Sequence, residues 1–310
     1  MADRTGVASS FGLKLETTVG TAVTVDTWHP LISEGVARVE TPTESKAIRL
    51  NRRVLTTPEW NSGNVVISGP VALELNSTGL RPILALMGFA ETGSGPYTYR
   101  PGDMYGKAAT MQFGKPAMSG SVIPWTIAGT KLKSWEIGCA AGEIATLGLD
   151  VQNCLVDVDH STALTAPSYD SLLRPLKFSG ASVTVAGSGV TAYDMKLKGD
   201  LKLDRKPVLG SQFVKELRAT DRYLFTGSIL TDFDSVTFYD DYVGHTEVAI
   251  VMTFTGPNSA SLVFTMNARI DPFTPNISGR EAIQTEIPFT CVSSDANDYS
   301  AISAVYTVPA

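Results

Sequence analysis

The residues of this 310-residue chain that could do chemistry are three histidines, three cysteines and several aspartates. His29 precedes a proline, His160 sits in a polar stretch and His245 follows Gly244. None has a histidine or cysteine partner at metal-ligand spacing, so each reads as a surface or structural residue. Cys139, Cys154 and Cys291 are odd in number, far apart and outside any Cys-x-x-Cys pair, which signals neither a disulfide framework nor a zinc site. They read as free and mostly buried. Asp157 and Asp159 are the kind of carboxylate pair a glycosidase uses, but spacing alone does not define such a site. Asp232, Asp234, Asp240 and Asp241 offer oxygen ligands for a hard cation. On a helix, however, positions 232 and 234 point about 200 degrees apart. Gly187-Ser188-Gly189 has no helix behind it and reads as a hairpin turn, and neither a nucleophile elbow nor a Walker loop occurs. These residues imply no catalytic centre, no metal and no cofactor.

The elements around them are mostly strands. From Met195 to Asp204, apolar residues or glycine hold every odd position and a charge every even one, which makes a strand with one dry face. Runs at 223–230, 247–255, 261–270 and 282–291 follow, parted by Gly256-Pro257-Asn258, Asp271-Pro272 and Ser278-Gly279, as in an antiparallel sheet. Earlier runs lie at 65–75, 122–127, 132–137 and 144–151, with turns expected at Ala128-Gly129-Thr130 and Ala140-Ala141-Gly142. Two short helices are predicted. One spans about 78–87, with Asn76-Ser77-Thr78 as caps, a stripe of Leu80, Ile83, Leu84 and Met87, and Gly88 as its end. The other spans about 232–243, with Asp232 as cap, Phe233, Val236, Tyr239 and Val243 as the face covering a sheet, and Gly244 as its left-handed end. The organisation expected is an extended arm and loop over 1–60, a first sheet-rich section over 61–160 and a second over 170–310.

A chain of this length buries about three quarters of its unfolded surface, so one elaborated domain or two both fit. Charged residues make up 18%, within the range of an ordinary globular protein. No apolar run approaches a membrane span and no secretory leader follows Met1, so the expectation is a protein kept in the cytosol unless a larger particle carries it out. Residues 196–310 hold 10 basic and 14 acidic side chains against a net charge of -6 for the whole chain. That balance argues against tight binding of a phosphate backbone and suits a surface that nucleic acid passes without sticking. Arg49, Arg52 and Arg53 cluster among Glu40, Glu44 and Glu59, which fits a solvated loop, intersubunit salt bridges or contact with an anion. The β-branched stretch 20–25 either lies on its own domain or docks on a neighbour.

The C-terminal order resembles the tail tube proteins of long non-contractile-tailed bacteriophages. The matching pieces are the strand Lys196–Asp204, the segment Pro207–Leu217, the strand Tyr223–Ser228, the helix Asp232–Tyr242, the strand pair 247–255 and 261–270, and the terminal Gly279–Phe289. Val19–Val23, the sheet and helix at Val65–Gly88 and the stretch Gly129–Trp135 are similar to longer members of that family. The resemblance implies a mainly β protein: a β-sandwich or barrel of antiparallel strands with short flanking helices. Its copies, usually six, close their sheets into one continuous inner barrel, and the rings stack into a tube that conducts DNA. It implies other tail proteins as partners, the virion tail as location after synthesis in the host bacterial cytoplasm, and no membrane. The loop Lys206–Arg222 and the N-terminal arm would reach the next ring. Lys206, Lys215, Arg218 and Arg222 thereby join the arginine cluster as expected contact residues. The face lining the lumen, and whether a ring holds six copies or three of a duplicated domain, stay open. A tail terminator, a distal tail ring or a β-rich cell-wall hydrolase are the competing readings.

Overall fold

A computed structural model describes residues 5–48, 50–153, 155–162, 165–275, 282–294 and 300–310. Arg49, Cys154 and the expected Ser278-Gly279 turn lie outside the described residues. Strands take up 51% of the chain and helix 8%, so the mainly β expectation holds.

Two antiparallel sheets face each other. The first runs from an edge formed by β3 (Leu31–Glu34) and β4 (Ala37–Glu44) to β5 (Trp60–Glu74) and β10 (Thr146–Asn153), then β9 (Val122–Ala140) and β13 (Ala192–Asp200), and ends with β16 (Leu224–Asp232) and β19 (Gln284–Cys291). The second is ordered β12 (Ser188–Val190), β11 (Ala181–Val185), β17 (Glu247–Thr255), β18 (Ser261–Ile270), β20 (Ile302–Thr307), β7 (Tyr97–Pro101) and β6 (Phe89–Thr92). The end of β18 also pairs with β19, stitching the sheets together. A smaller sheet joins β2 (Thr27–His29), β1 (Ser10–Leu15), β8 (Ala109–Pro116) and the first half of β9, and a two-stranded ribbon pairs β14 (Leu203–Asp204) with β15 (Arg218–Ala219).

Alternation places the core. On β13, Met195, Leu197 and Gly199 are buried while Lys196 and Lys198 face out, as the two-residue period requires. The strand stops at Asp200 because Lys202 takes a positive φ of 50°, and Leu203–Asp204 leave for the ribbon. Between the sheets the Trp135 ring meets Phe225 and Phe264 at 6.0 Å and 6.5 Å, and its indole N–H donates to Met87 O at 2.9 Å. Gly199 sits directly across from Trp135, where an added Cβ would lie 2.4 Å from the indole. Gly199→Ala is therefore expected to cost about 2 kcal/mol through overpacking. Urea unfolding measures it, and an unchanged midpoint would mean that the indole has room to move.

Three local readings change. The strands expected at 122–127 and 132–137 are one continuous β9, with Gly129 bending it at φ 73° rather than turning it back. The Gly129 amide donates to the buried Glu16 carboxylate at 2.7 Å, and beyond this point the strand exchanges β8 for β10 and β13 as partners. Helix α1 (Leu80–Leu86) buries its predicted stripe, and Gly88 follows it at φ 92°. Its N-cap, however, is Gly79, without a side-chain bond. Ser77 instead binds Leu172 O and Arg174 N, both at 2.9 Å, tying down a distant loop. Helix α2 (Thr237–Val243) starts only after Asp232 has ended β16, and the left-handed residue at its end is His245 rather than Gly244.

Candidate assembly surfaces

Among the described residues, the groups with chemical potential are spread over separate loops and strands. Asp157 accepts from Arg38 at 2.7 Å, which holds its carboxyl below the usual range, and Arg38 also reaches Glu40 at 2.9 Å. Asp159 accepts from the hydroxyls and amides of Ser161 and Thr162, which lower its pKa further. Both carboxylates thus hold their own loop. Asp232 accepts from Tyr193 at 2.8 Å, and no group of three or more potential metal ligands occurs among the described residues. His29 is buried, and His160 stands edge-on to Trp125 with its Nδ1 3.1 Å from Pro124 O. Cys139 and Cys291 are free, and burial pushes the Cys291 thiol up to about 12.

What the fold does build is surface. The outward positions of the first sheet line up in register: Glu74, Thr146, Gly138, Lys196 and Ser228 form one row, and Ala72, Gly148, Glu136, Lys198 and Thr226 the next. Asp150, Asp194, Asp200 and Glu286 flank these rows, so carboxylates outnumber lysines, and Lys196 is itself paired with Asp194 at 2.9 Å. The face is broad, and between its charged side chains stand Gly138, Gly148, Ala72 and short hydroxyl residues. At one edge β4 pairs only with β5 among the described strands, and at the other Gln284–Pro288 of β19 pair only with β16.

Of the two courses expected for the arm, its described part takes the first. Phe11, Leu13 and Val25 are buried, and the Val23 amide donates to Thr110 Oγ1 at 3.0 Å, so the described part of the arm lies on its own body. The hairpin of β4 and β5 projects instead, and Arg52 and Arg53 stand exposed at its tip. Lys206, Lys215, Arg218 and Arg222 are exposed on the loop 205–222, with Arg218 5.0 Å above the Tyr105 ring. That loop is clamped from beneath by Lys131, a residue its sequence context did not single out. Its buried Nζ donates to Met104 O at 2.6 Å, Glu216 Oε1 at 2.5 Å and Leu217 O at 3.1 Å, while burial pulls its pKa down. In sequence Lys131 sits between Thr130 and Leu132, two places from the exposed Lys133, and nothing local tells the two lysines apart.

The profile described as phage tail tube protein matches residues 6–291. The chain belongs to the phage tail tube protein family. No curated protein matches it individually. Membership makes this a structural tail protein of the virion that assembles with itself and with other tail proteins, and bare sheet edges and a projecting hairpin suit such a protein. No helix among the described residues of this tail tube protein is long and apolar enough to cross a membrane.

Proposed function

We propose that copies of this tail tube protein close edge to edge into rings, that the rings stack into a hollow tube, and that the outer face of the first sheet lines a lumen through which DNA passes during ejection. The observation that carries this reading is that sheet: rich in carboxylates on its outer face, with an unpaired strand edge on either side among the described strands. Joining the β4 edge of one copy to the β19 edge of the next removes both edges, which otherwise invite uncontrolled association. A carboxylate-rich wall offers DNA phosphates no counterion-releasing contacts, so the duplex slides without being held.

Negative-stain electron microscopy of the purified chain over rising concentration tests the assembly. Hollow filaments are expected, and the number of copies per ring is read directly. Monomers at every concentration would overturn the proposal, and rings that never stack would favour a terminator or distal ring. For the lining, Glu136→Lys with Glu286→Lys should leave tubes intact while slowing DNA delivery. Unaltered delivery from tubes carrying both changes would exclude this face as the wall.

A further inference from the structure

Helix α2 carries apolar residues on two sides. Phe238 and Tyr242 turn inward against the core. Most of the stripe expected to cover the sheet stays exposed instead: Val236 and Val243 are each 56% exposed, Tyr239, although edge-on to Phe273 at 6.4 Å, is 41% exposed, and Phe233 is exposed as well. Asp234, Asp240 and Asp241 border this ridge, and no cation pairs with them among the described residues. A small surface helix with such an uncovered ridge lacks a partner that the single chain does not supply.

A complementary surface exists at the hairpin tip. Ile48 is 100% exposed and Leu50 91%, followed by Val54, Leu55 and Trp60. Arg52 and Arg53 lie among them, exposed and likewise without an ion pair. One surface is thus apolar and acidic, the other apolar and basic.

The strand registers keep the two apart within one chain. The hairpin springs from the β3 and β4 edge of the first sheet, whereas α2 follows β16 near the opposite edge. They also lie at opposite strand ends. The β10 ladder ends where Asn153 meets Ile67, and β5 runs on beyond it to Trp60, about 24 Å at about 3.4 Å per residue. Leu224, at that same end of β16, pairs with Asp200, while Asp232 and then α2 stand at the other end.

We propose that the apolar and basic hairpin tip of one copy docks on the apolar and acidic α2 ridge of a second copy displaced along the strand direction. This rests on the self-assembly reading and assigns its axial contact: edge pairing works sideways, and tip-to-ridge docking works lengthwise. Because the two surfaces differ, the contact is heterologous and repeats without closing, which is how a filament grows. Opposite charges at its rim select the register and speed encounter.

The test is charge exchange on the full chain. Arg52→Glu with Arg53→Glu, and separately Asp240→Lys with Asp241→Lys, should each raise the concentration needed for filaments by about tenfold or more. All four changes in one chain should bring it back near the wild-type value. Val54→Cys and Tyr239→Cys in the same chain should give intermolecular disulfides in filaments and none in monomer. Single reversals that polymerise like the wild type, or a quadruple variant that is not rescued, would overturn the docking while leaving tube assembly standing. A wild-type chain that never assembles would overturn both.

Discussion

Replacing Lys131 with alanine is expected to lower the unfolding free energy by about 4 kcal/mol, because it strands a carboxylate and two carbonyls in a nearly closed site. Lys131 is 1% exposed, and its ammonium fills the space between Met104 O, Leu217 O and Glu216 Oε1. The same Glu216 oxygen accepts from the Gly106 amide at 2.6 Å. Above this polar knot, Met104, Leu201, Leu203, Val214 and Leu217 form a small apolar cluster of their own. The loop 205–222 is thus held by this cation and a few aliphatic side chains, besides the β14–β15 ribbon and the Val65 amide donating to Gln212 O at 3.0 Å, and losing the cation should loosen its central part. Denaturant unfolding gives the magnitude, and protease cleavage within 205–222 shows the loop released. Adding Glu216→Gln to Lys131→Met should recover part of the loss, since it removes the uncompensated charge. A Lys131→Ala chain within 1 kcal/mol of wild type would mean that the loop is held by its apolar contacts alone.

Acid should weaken the fold through a single histidine before it does so through the carboxylates. His29 is 1% exposed, its Nε2 has no hydrogen-bond partner, and burial lowers its pKa to about 4, offset in part by the polar backbone of nearby Gly79. Unfolded, it titrates near 6.5. Between those values the unfolded chain binds a proton that the native chain refuses, so stability rises with pH across the window. The contribution is fully present above pH 6.5 and is lost as pH falls toward 4, amounting to about 3 kcal/mol. The arginine-paired carboxylates, whose pKa values are lowered, act further down the scale. Comparing unfolding at pH 7 and pH 4.5 in the wild type and in His29→Asn isolates the effect. Equal pH slopes in the two proteins would remove His29 as the cause. Phe11, 6.5 Å away, belongs to the same small sheet, so acid should loosen first the region that anchors the arm.

Much of the strand architecture was legible in the residue order. The alternation in β13, the ends of β17 and β18 and the glycine closing α1 are consequences of backbone geometry within a few residues, so local pattern carries them. The acidic balance of the C-terminal third was countable too. The resemblance to tail tube proteins rested on the same strand order, and the family match over residues 6–291 agrees with it.

Other features depended on partners far away in sequence. Gly129 looks like a turn residue, yet Glu16, 113 positions earlier, takes its amide and keeps the chain running as one strand. Asn76-Ser77-Thr78 has the composition of a cap, but Ser77 bonds across 95 positions to Leu172. The apolar stripe of α2 has the right spacing to cover a sheet. Only the arrival of β16 and the packing of Phe238 and Tyr242 decide that the other side is buried. Local sequence determined which segments would be strands and which faces of them would be dry. Tertiary structure decided which polar groups meet and which apolar faces stay exposed on the single chain, because those outcomes depend on long-range pairings that leave no periodic trace.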